Sequence, residues 1–234
     1  MKRNYERPYS TMLTRRMPVI IRLDGKGFHT FTRGCDKPFD EKISNTMLKT
    51  AEKLVGNIQG AKIAYTQSDE ISLLLTDYDT IETDAWFEYN VQKICSVSAS
   101  MCTAFFNSVY NHDAPQGKRK MALFDPRVFN IPKEEVMNYF LWRQQDWIRN
   151  SVQMCAQSLY SQKQLNGKNI YEMKEMSKMK GLDWDSLPLN LKYGNFITKM
   201  SHFVAPDDKV VGAFYISHEV VLDNKDMFDD YLEV

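Results

Sequence analysis

The chain of 234 residues is 43% hydrophobic and 26% charged, which is typical of a globular protein with one large domain or two small ones. Thirty basic residues balance thirty acidic ones, so the sequence lacks the overall positive charge of a bulk nucleic-acid binder. Its apolar runs fall far short of the roughly 20 residues that span a bilayer, and no apolar core of a secretory signal follows the basic N-terminus. We expect a cytoplasmic protein with no membrane segment.

Histidine and cysteine spacing argues against a zinc site. The four histidines are scattered, and no C-x-x-C pair occurs among the four cysteines, which are Cys35, Cys95, Cys102 and Cys155. We expect free, buried thiols in a reducing compartment, and any metal ion should have oxygen ligands. Nucleic-acid binding would need local basic patches. Residues 15–16 and 118–120 are candidates, although such runs are more often solvated surface.

The first part of the chain predicts a strand, a helix and a hairpin. β-Branched residues over 17–23 predict a buried strand that runs into a glycine turn. Apolar residues recur at three- and four-residue spacing over 39–58 and predict a helix. Apolar runs at 61–66 and 71–75 flank a short polar segment, which predicts a β-hairpin.

A second helix and strand follow the hairpin. Residues 84–110 contain neither Gly nor Pro and predict a long, largely buried helix, and residues 121–131 predict an extended segment. The order β-α-β-β-α-β over 17–131 is that of the ferredoxin-like fold, in which two helices pack on one face of a four-stranded antiparallel sheet. The sequence therefore predicts an α+β protein with the ferredoxin-like palm of many nucleotidyl-transferring enzymes.

The C-terminal part is expected to be richer in helix. A helix is predicted over 132–160, helical sequence continues beyond it, and runs at 195–204 and 209–221 predict extended structure. We expect residues 1–131 to form a palm catalytic domain. Residues 132–234 should form a helical and extended region that packs on the palm, either as a separate unit or within one single domain.

Acidic residues stand at two predicted turns that lie side by side. Asp24 ends the first strand and Asp69 lies in the hairpin turn, and the predicted fold makes these strands neighbours at the centre of the sheet. Two carboxylates a few ångströms apart repel unless a cation neutralises them, and oxygen ligands with room for phosphates suit Mg²⁺. A pair of such ions can activate a hydroxyl and stabilise the leaving phosphate of an in-line displacement.

Glycines and lysines beside these acids suit a triphosphate. Gly25 and Gly27 let main-chain N–H groups approach phosphates closely, and Lys26 and Lys37 add positive charge. Each piece alone is weak, because an Asp-Gly pair after a strand is usually a turn and an exposed Ser-Asp-Glu is usually a hairpin tip. Together they favour a metal-dependent phosphoryl or nucleotidyl transferase.

Longer motifs resemble those of the tRNAHis guanylyltransferase superfamily, in the same order. They are MPVIIRLDGKGFHTFTRGCDKPFD, AYTQSDEISLLL, and FDPRV followed by LWRQQDW, and the resemblance continues through GLDWDSLPLNLKYG near the C-terminus. The chain is most similar to the guanylyltransferase-like branch of bacteria and archaea, the 3′-to-5′ polymerases. The resemblance implies that the 5′ phosphate of a tRNA is activated, by ATP or as a triphosphate, and is attacked by the 3′ hydroxyl of an incoming nucleotide.

The resemblance also implies roles for individual residues. The implied catalytic acids are Asp24, Asp69 and Glu70, and the implied ligands of two Mg²⁺ ions are Asp24, Asp69 and the main-chain carbonyl of Gly25. The implied nucleotide-binding residues are Asp24, Gly25, Lys26, Gly27, Phe28, His29, Lys37, Ser68 and Asp69. The implied RNA-binding residues are Arg127, Arg143 and Asn150. The implied substrates are tRNA, GTP, other nucleoside triphosphates and ATP for 5′ activation, and the implied assembly is a homotetramer.

One segment departs from the guanylyltransferases proper. After W-R-Q-x-D the guanylyltransferases proper carry the stretch H-I-N-N-L-Y-N. The resemblance links this stretch with handling the 5′ end of the tRNA and with adding an untemplated guanosine to tRNAHis. This chain has Trp147-Ile148-Arg149-Asn150-Ser151-Val152-Gln153, in which only Ile148 and Asn150 are kept. The departure favours template-dependent repair of 5′-truncated tRNAs, with tRNAHis guanylylation as the alternative.

Several ring-bearing residues have both a structural and a functional interpretation. His29 is expected to pack against a nucleotide or to be structural rather than to act as a base. Phe28 and Phe31 are expected in the core, with stacking on a base as the alternative. Trp142 and Trp147 could stack on RNA, but burial is the expected outcome.

Two rival functions use the same fold. A nucleotide cyclase has the same kind of palm and metal pair, but its reaction needs no RNA. A non-catalytic tRNA-binding protein would tolerate the loss of Asp24. The presence of both matched carboxylates, Asp24 and Asp69, argues against that second rival.

Overall fold

The computed structural model describes residues 1–114, 117, 119–200, 213–218, 220–224 and 226–232. Parts of two predictions lie outside these residues: Lys118 of one basic patch, and residues 201–204, 209–212 and 219 of the two extended runs. From residue 17 to residue 200 the strands and long helices follow the predicted order.

Six antiparallel strands form one sheet in the order β4-β1-β3-β2-β5-β6. They are Val19–Gly25 (β1), Ala61–Gln67 (β2), Glu70–Leu75 (β3), Phe124–Asn130 (β4), Asn195–Met200 (β5) and Ala213–Ser217 (β6). The first four have the β4-β1-β3-β2 order of the ferredoxin-like palm, which confirms the predicted α+β fold. The C-terminal part enlarges the predicted four-stranded sheet, because β5 pairs with the far edge of β2 and β6 pairs with β5.

Two long helices, Glu41–Asn57 (α2) and Val91–Tyr110 (α3), cover one face of the sheet. Their apolar residues recur at three- and four-residue spacing and bury side chains such as Leu54 and Phe106 in the same core as β1 and β3. This layer is the two-helix face that the sequence predicts for the palm.

Helix α3 begins later than the predicted segment 84–110. Phe87, Glu88 and Tyr89 have φ angles of 51°, 53° and 60°, a left-handed conformation that cannot continue a right-handed helix. The helix starts only after Asn90, whose side chain accepts a hydrogen bond from a main-chain N–H of the first turn. None of these residues is a glycine, so composition gives no sign of the break.

A third long helix, Val136–Leu159 (α4), covers the opposite face of the sheet. Its residues Tyr139 and Phe140 pack with Ile20 of β1 and Leu74 of β3. The two palm helices thus lie on one face as predicted, and the C-terminal part supplies the cover for the other. The consecutive buried residues Val19, Ile20 and Ile21 fit a strand whose first half is covered on both faces.

Five shorter α-helices also occur in the described part of the chain. They are Phe28–Phe31 (α1), Gln162–Leu165 (α5), Ile170–Met179 (α6), Leu189–Tyr193 (α7) and Asp229–Leu232 (α8). The second half of α4 packs with α6 around the buried ring of Trp184. Of the helices that the structure describes, none is long and apolar enough to cross a membrane.

The four cysteines are free thiols, as predicted. Cys102 and Cys155 are completely buried, whereas Cys35 and Cys95 are partly exposed, so the expectation of burial is wrong for that second pair. Burial raises the pKa of the Cys155 thiol to about 11, and this thiol therefore stays protonated at neutral pH.

Candidate active site

The two predicted acidic turns meet at one edge of the sheet. Strand β1 pairs with β3, and Asp24 stands opposite Glu70 across that pair. The N–H of Gly25 donates to the main-chain carbonyl of Asp69 at 3.1 Å, which ties the end of β1 to the β2–β3 turn. Asp69 Oδ1 also accepts a hydrogen bond from the Ser68 hydroxyl at 2.9 Å. Asp24 and Asp69 consequently line the same cavity.

The main chain at Gly25 leaves no room for a side chain. A Cβ atom there would lie 2.8 Å from Asp69 Oδ2 and 2.3 Å from Cδ2 of Phe28. The Phe28 ring cannot move aside easily, because it packs against Phe31, Phe106 and Phe124. Glycine at this position therefore lets the Asp69 carboxylate lie beside the main chain of β1.

The Gly25→Ala variant is expected to lose about 1–3 kcal/mol of unfolding free energy, because the new methyl group overpacks the Phe28 ring and the Asp69 carboxylate. Urea unfolding measures this loss. The control is Gly117→Ala, where nothing among the described residues lies within 4 Å of the new Cβ, and a change of less than about 0.5 kcal/mol is expected there. Equal losses in the two variants would contradict the close approach at Gly25.

Burial makes Asp69 a weaker acid. Loss of solvent, with smaller contributions from the nearby Asp24 and Glu70 carboxylates, raises the pKa of Asp69 to about 6 against the opposing hydrogen bond from Ser68. The group is therefore held in a site that favours either a proton or a cation.

In the metal-free protein, Asp69 is expected to cost stability at neutral pH. Its folded pKa of about 6 exceeds the unfolded value of about 3.9, so the folded state binds the proton more tightly. The cost is absent below about pH 4 and complete above about pH 6. Thermal unfolding of the wild type and Asp69→Asn from pH 4 to pH 8 measures this dependence. The Tm of the wild type should rise relative to that of Asp69→Asn as the pH falls. A Tm difference that does not change with pH would contradict the raised pKa of Asp69.

Glu70 is held by an arginine from the opposite layer. Nε and Nη2 of Arg143, on α4, donate to its two carboxylate oxygens at 2.7 Å each, and both residues are buried, with exposures of 5% and 6%. Burial raises the pKa of Glu70, and Arg143 opposes that shift. The family resemblance implies a catalytic role for Glu70 and an RNA contact for Arg143, and the structure pairs the two residues with each other.

A first cavity, of about 620 Å³, opens on one side of the acids and is large enough for a nucleoside triphosphate. The predicted nucleotide-binding residues that line it are Phe28, His29, Lys37, Ser68 and Asp69. The Phe28 ring also belongs to the aromatic core, as expected. Lys26 is exposed and its N–H donates to the Leu123 carbonyl at 2.8 Å, while Gly27 is the N-cap residue just before α1 and has a φ of 63°.

A second cavity, of about 460 Å³, lies on the other side of the acids. Besides Asp24 and Glu70 it is lined by Arg22, Trp142, Arg143, Asp146 and Asn150. Ser68 and Asp69 line both cavities, so the acidic turn stands between them. The predicted RNA-binding residue Arg127 lies beside Asp24, with Nη1 at 3.7 Å from its Oδ2.

The donor set at the acids fits a hard cation. The described residues contain no group of three or more His, Cys, Asp or Glu side chains that would form a complete metal site. The carboxylates of Asp24 and Asp69 and the main chain of Gly25 offer oxygen donors and leave coordination positions for phosphate and water. That partial set is the kind that Mg²⁺ uses with nucleotide substrates.

Residues 1–132, more than half of the chain, match the sequence model described as "Thg1: tRNAHis guanylyltransferase". The chain belongs to this family. Members of the tRNAHis guanylyltransferase family are nucleotidyltransferases that add nucleotides to tRNA, so the protein is an enzyme of tRNA processing.

Relatives of known structure cover almost the whole chain. A bacterial tRNA(His) guanylyltransferase (Thg1)-like protein in complex with ATP is 41% identical, with a TM-score of 0.90 over 99% of this chain and 97% of that one. A structure of such a bacterial protein in complex with GTP is 37% identical, with a TM-score of 0.81 and the same coverage. The tRNA(His) guanylyltransferase of Debaryomyces hansenii is 31% identical over 140 residues, which make up 57% of this chain and 51% of that relative.

The two tryptophans of α4 differ in exposure. Trp147 is buried as expected, but the same expectation is wrong for Trp142, which is 50% exposed and lines the second cavity. The buried residues of α4 include Tyr139, Phe140 and Arg143. Trp142 falls off this stripe, a signal that a stricter helical projection of the sequence could have found.

Sequence reasoning missed several residues that line the cavities. Arg22 precedes Asp24 by two positions and shares its face of β1, which the alternation of a strand could have indicated. Asn190 and Asn195 reach the first cavity from the C-terminal part. No local pattern marks them, because that contact depends on the pairing of β5 with β2.

Proposed function

We propose that this enzyme adds nucleotides to the 5′ end of 5′-truncated tRNA in the 3′-to-5′ direction, guided by the opposite strand of the acceptor stem. The observation that carries the proposal is that Asp69 lines both cavities, each large enough for a nucleotide, and that Asp24 joins it in the second. A reaction that joins two nucleotides needs both to meet at one centre, and this arrangement offers such a meeting point.

Asp24, Asp69 and the main-chain carbonyl of Gly25 would hold two Mg²⁺ ions. Such ions, when bound, polarise phosphate oxygens and favour ionisation of a hydroxyl nucleophile. The protein itself fixes the positions of these oxygen ligands. The Gly25 N–H holds the turn at Asp69, and the missing side chain at Gly25 keeps the Asp69 carboxylate close to β1.

We assign a nucleoside triphosphate to the first cavity. Lys37 and His29 line it and can donate hydrogen bonds to phosphate oxygens. The bacterial relatives bound ATP in one structure and GTP in another. These complexes support ATP as the activating nucleotide here, and GTP among the nucleotides that are added.

The bond-forming step joins the 3′ oxygen of a nucleotide to the 5′ phosphorus of the RNA. The 3′ hydroxyl loses its proton as it attacks, and the leaving group is AMP from an adenylylated end or pyrophosphate from a triphosphate. We assign the RNA end to the second cavity, where Arg22 and Asn150 line the wall. Arg127, beside Asp24, adds a positive charge for the phosphates.

The segment 147–153 supports templated repair over guanylylation of tRNAHis. The resemblance implies that this stretch handles the 5′ end of the tRNA in the guanylyltransferases proper. Most of its residues are different in this chain. Ser151 and Val152 are buried in α4, Trp147 lines the first cavity and Asn150 lines the second. A site without the dedicated guanosine-adding stretch would select the incoming nucleotide by base pairing.

A template exchange tests this proposal. Truncated tRNAs that carry each of the four bases opposite the missing nucleotide are incubated with all four triphosphates, and the added nucleotide is identified. The complementary nucleotide is expected in each case, and full-length tRNAHis should remain unextended. Addition of guanosine to every substrate would favour tRNAHis guanylylation, and consumption of triphosphate without RNA would favour the cyclase.

We further propose a cytoplasmic homotetramer, the assembly that the family resemblance implies for a tRNA bound across subunits. Light scattering on the purified enzyme tests the assembly. Four chains per particle are expected, and a single chain per particle would contradict the proposal.

A further inference from the structure

An exposed indole faces the second cavity. The other three tryptophans are at least nine-tenths buried, whereas half of the Trp142 surface is exposed. Trp142 shares the second cavity with Asp24 and Asp69. An aromatic face that remains open to solvent beside the candidate catalytic acids needs a reason, since burial of an indole is strongly favourable.

The indole is held in place from behind. The Arg143 guanidinium lies 4.5 Å from the centroid of the Trp142 ring, and the Tyr139 ring meets it edge-on at 6.0 Å. Arg143 is itself fixed by its two hydrogen bonds to Glu70. Trp142 is therefore packed against Arg143 and Tyr139 while half of its surface stays exposed, which suits a preorganised stacking surface.

The charges around Trp142 suit a nucleotide with its phosphates at the acids. Arg22 lies 6.0 Å from the indole centroid and supplies positive charge on the same wall as Arg143. The acids of this cavity, Asp24 and Asp69 among them, are the candidate cation site. A base stacked on Trp142 would direct its sugar and phosphate toward these acids.

We propose that Trp142 is the base-stacking platform of the second cavity, and that it binds the nucleobase next to the reacting phosphate. This proposal rests on the proposed function. The base has two possible sources with the same chemistry: the first nucleotide of the truncated tRNA, or a free nucleoside triphosphate. Every base has an aromatic face, so the contact would strengthen binding without selecting sequence, and selection is left to the template.

Binding measurements on three variants test the platform. Trp142→Leu keeps apolar volume behind the cavity but removes the stacking face, Trp142→Phe keeps a smaller face, and Phe129→Leu is the control. Phe129 is an exposed aromatic residue that also contacts the Tyr139 ring edge-on, at 5.9 Å, from strand β4. Dissociation constants are measured separately for truncated tRNA and for GTP, and urea midpoints establish that each variant is folded.

We expect Trp142→Leu to weaken binding of the ligand that supplies the base by roughly tenfold or more. Trp142→Phe should lose less, and Phe129→Leu should bind as the wild type does. A loss confined to tRNA would identify the RNA base, and a loss confined to GTP would identify the free nucleotide. Wild-type constants for both ligands in Trp142→Leu would overturn the proposal.

Indole fluorescence provides a readout that does not depend on catalysis. The emission of Trp142, taken as the wild type minus Trp142→Phe, should be quenched when the stacking ligand binds. Equal quenching in the wild type and in Trp142→Phe would overturn the platform. Because binding and quenching need no turnover, an enzyme that fails to extend tRNA would reject the proposed function and still test Trp142.

Discussion

The Asp24→Asn variant is expected to add nucleotides at least about a thousand times more slowly than the wild type. The proposed Mg²⁺ ions would contribute several kcal/mol of transition-state stabilisation, and each reduction by about 1.4 kcal/mol is a factor of ten in rate. Asparagine keeps the size of the side chain but removes the negative charge that would hold a cation. Single-turnover rates on a 5′-triphosphorylated, truncated tRNA measure the loss without the activation step.

Asp125 provides the matched control for this variant. It stands opposite Asp24 on the neighbouring strand β4, it is half exposed, and it pairs with Arg127. The Asp125→Asn variant should react within about threefold of the wild-type rate, because an exposed pair contributes little. Equal losses in the two variants, or a wild-type rate for Asp24→Asn, would show that the acid at position 24 has no special role.

The Arg143→Ala variant is expected to lose about 3–5 kcal/mol of unfolding free energy. The change leaves the buried Glu70 carboxylate without the two hydrogen bonds that Arg143 donates to it, although the more distant Arg22, 3.8 Å away, still faces it. Removing one partner of a buried ion pair is strongly destabilising. The loss should shrink as the pH falls, because a protonated Glu70 needs no cation. Urea unfolding at pH 7.5 and at pH 5 measures both effects.

An exposed arginine on the same helix is the control for Arg143. Arg149 pairs with Asp146 at 2.8 Å but is largely solvated, so Arg149→Ala should cost less than about 1 kcal/mol. The double variant Arg143→Met with Glu70→Gln should be more stable than the sum of the single losses predicts, because the two residues form one buried unit. Additive losses would show that the pair is not coupled.

The palm could be predicted from the sequence because each of its elements carries its own periodicity. The apolar run of β1 and the stripe of α2 are local patterns, and the β-α-β-β-α-β order then places the strands. The extension of the sheet could not be predicted in this way. Thr66 of β2 pairs with Asn195 of β5, and a contact between residues so distant in the chain leaves no local spacing to read.

The candidate site likewise contains residues whose proximity the sequence could predict and residues whose contacts it could not. Asp24 and Asp69 could be placed together because they end neighbouring strands of a recognisable fold. The partner of Glu70 could not, since Arg143 lies on a helix of the opposite layer and the motif gives no direction for its side chain. Trp142 is an intermediate case, because the buried stripe of α4 indicates that its side chain points away from the core, but not that it lines a cavity.

The most direct measurement locates the added nucleotide. The wild type and Asp69→Asn are incubated with Mg²⁺, radiolabelled GTP and a tRNA that lacks its first nucleotide and has a cytosine opposite the gap, and the labelled end is mapped. Label at the 5′ end with the wild type, and its loss with Asp69→Asn, is the predicted result. Label at the 3′ end, or equal incorporation by the two proteins, would contradict 5′ addition at these acids.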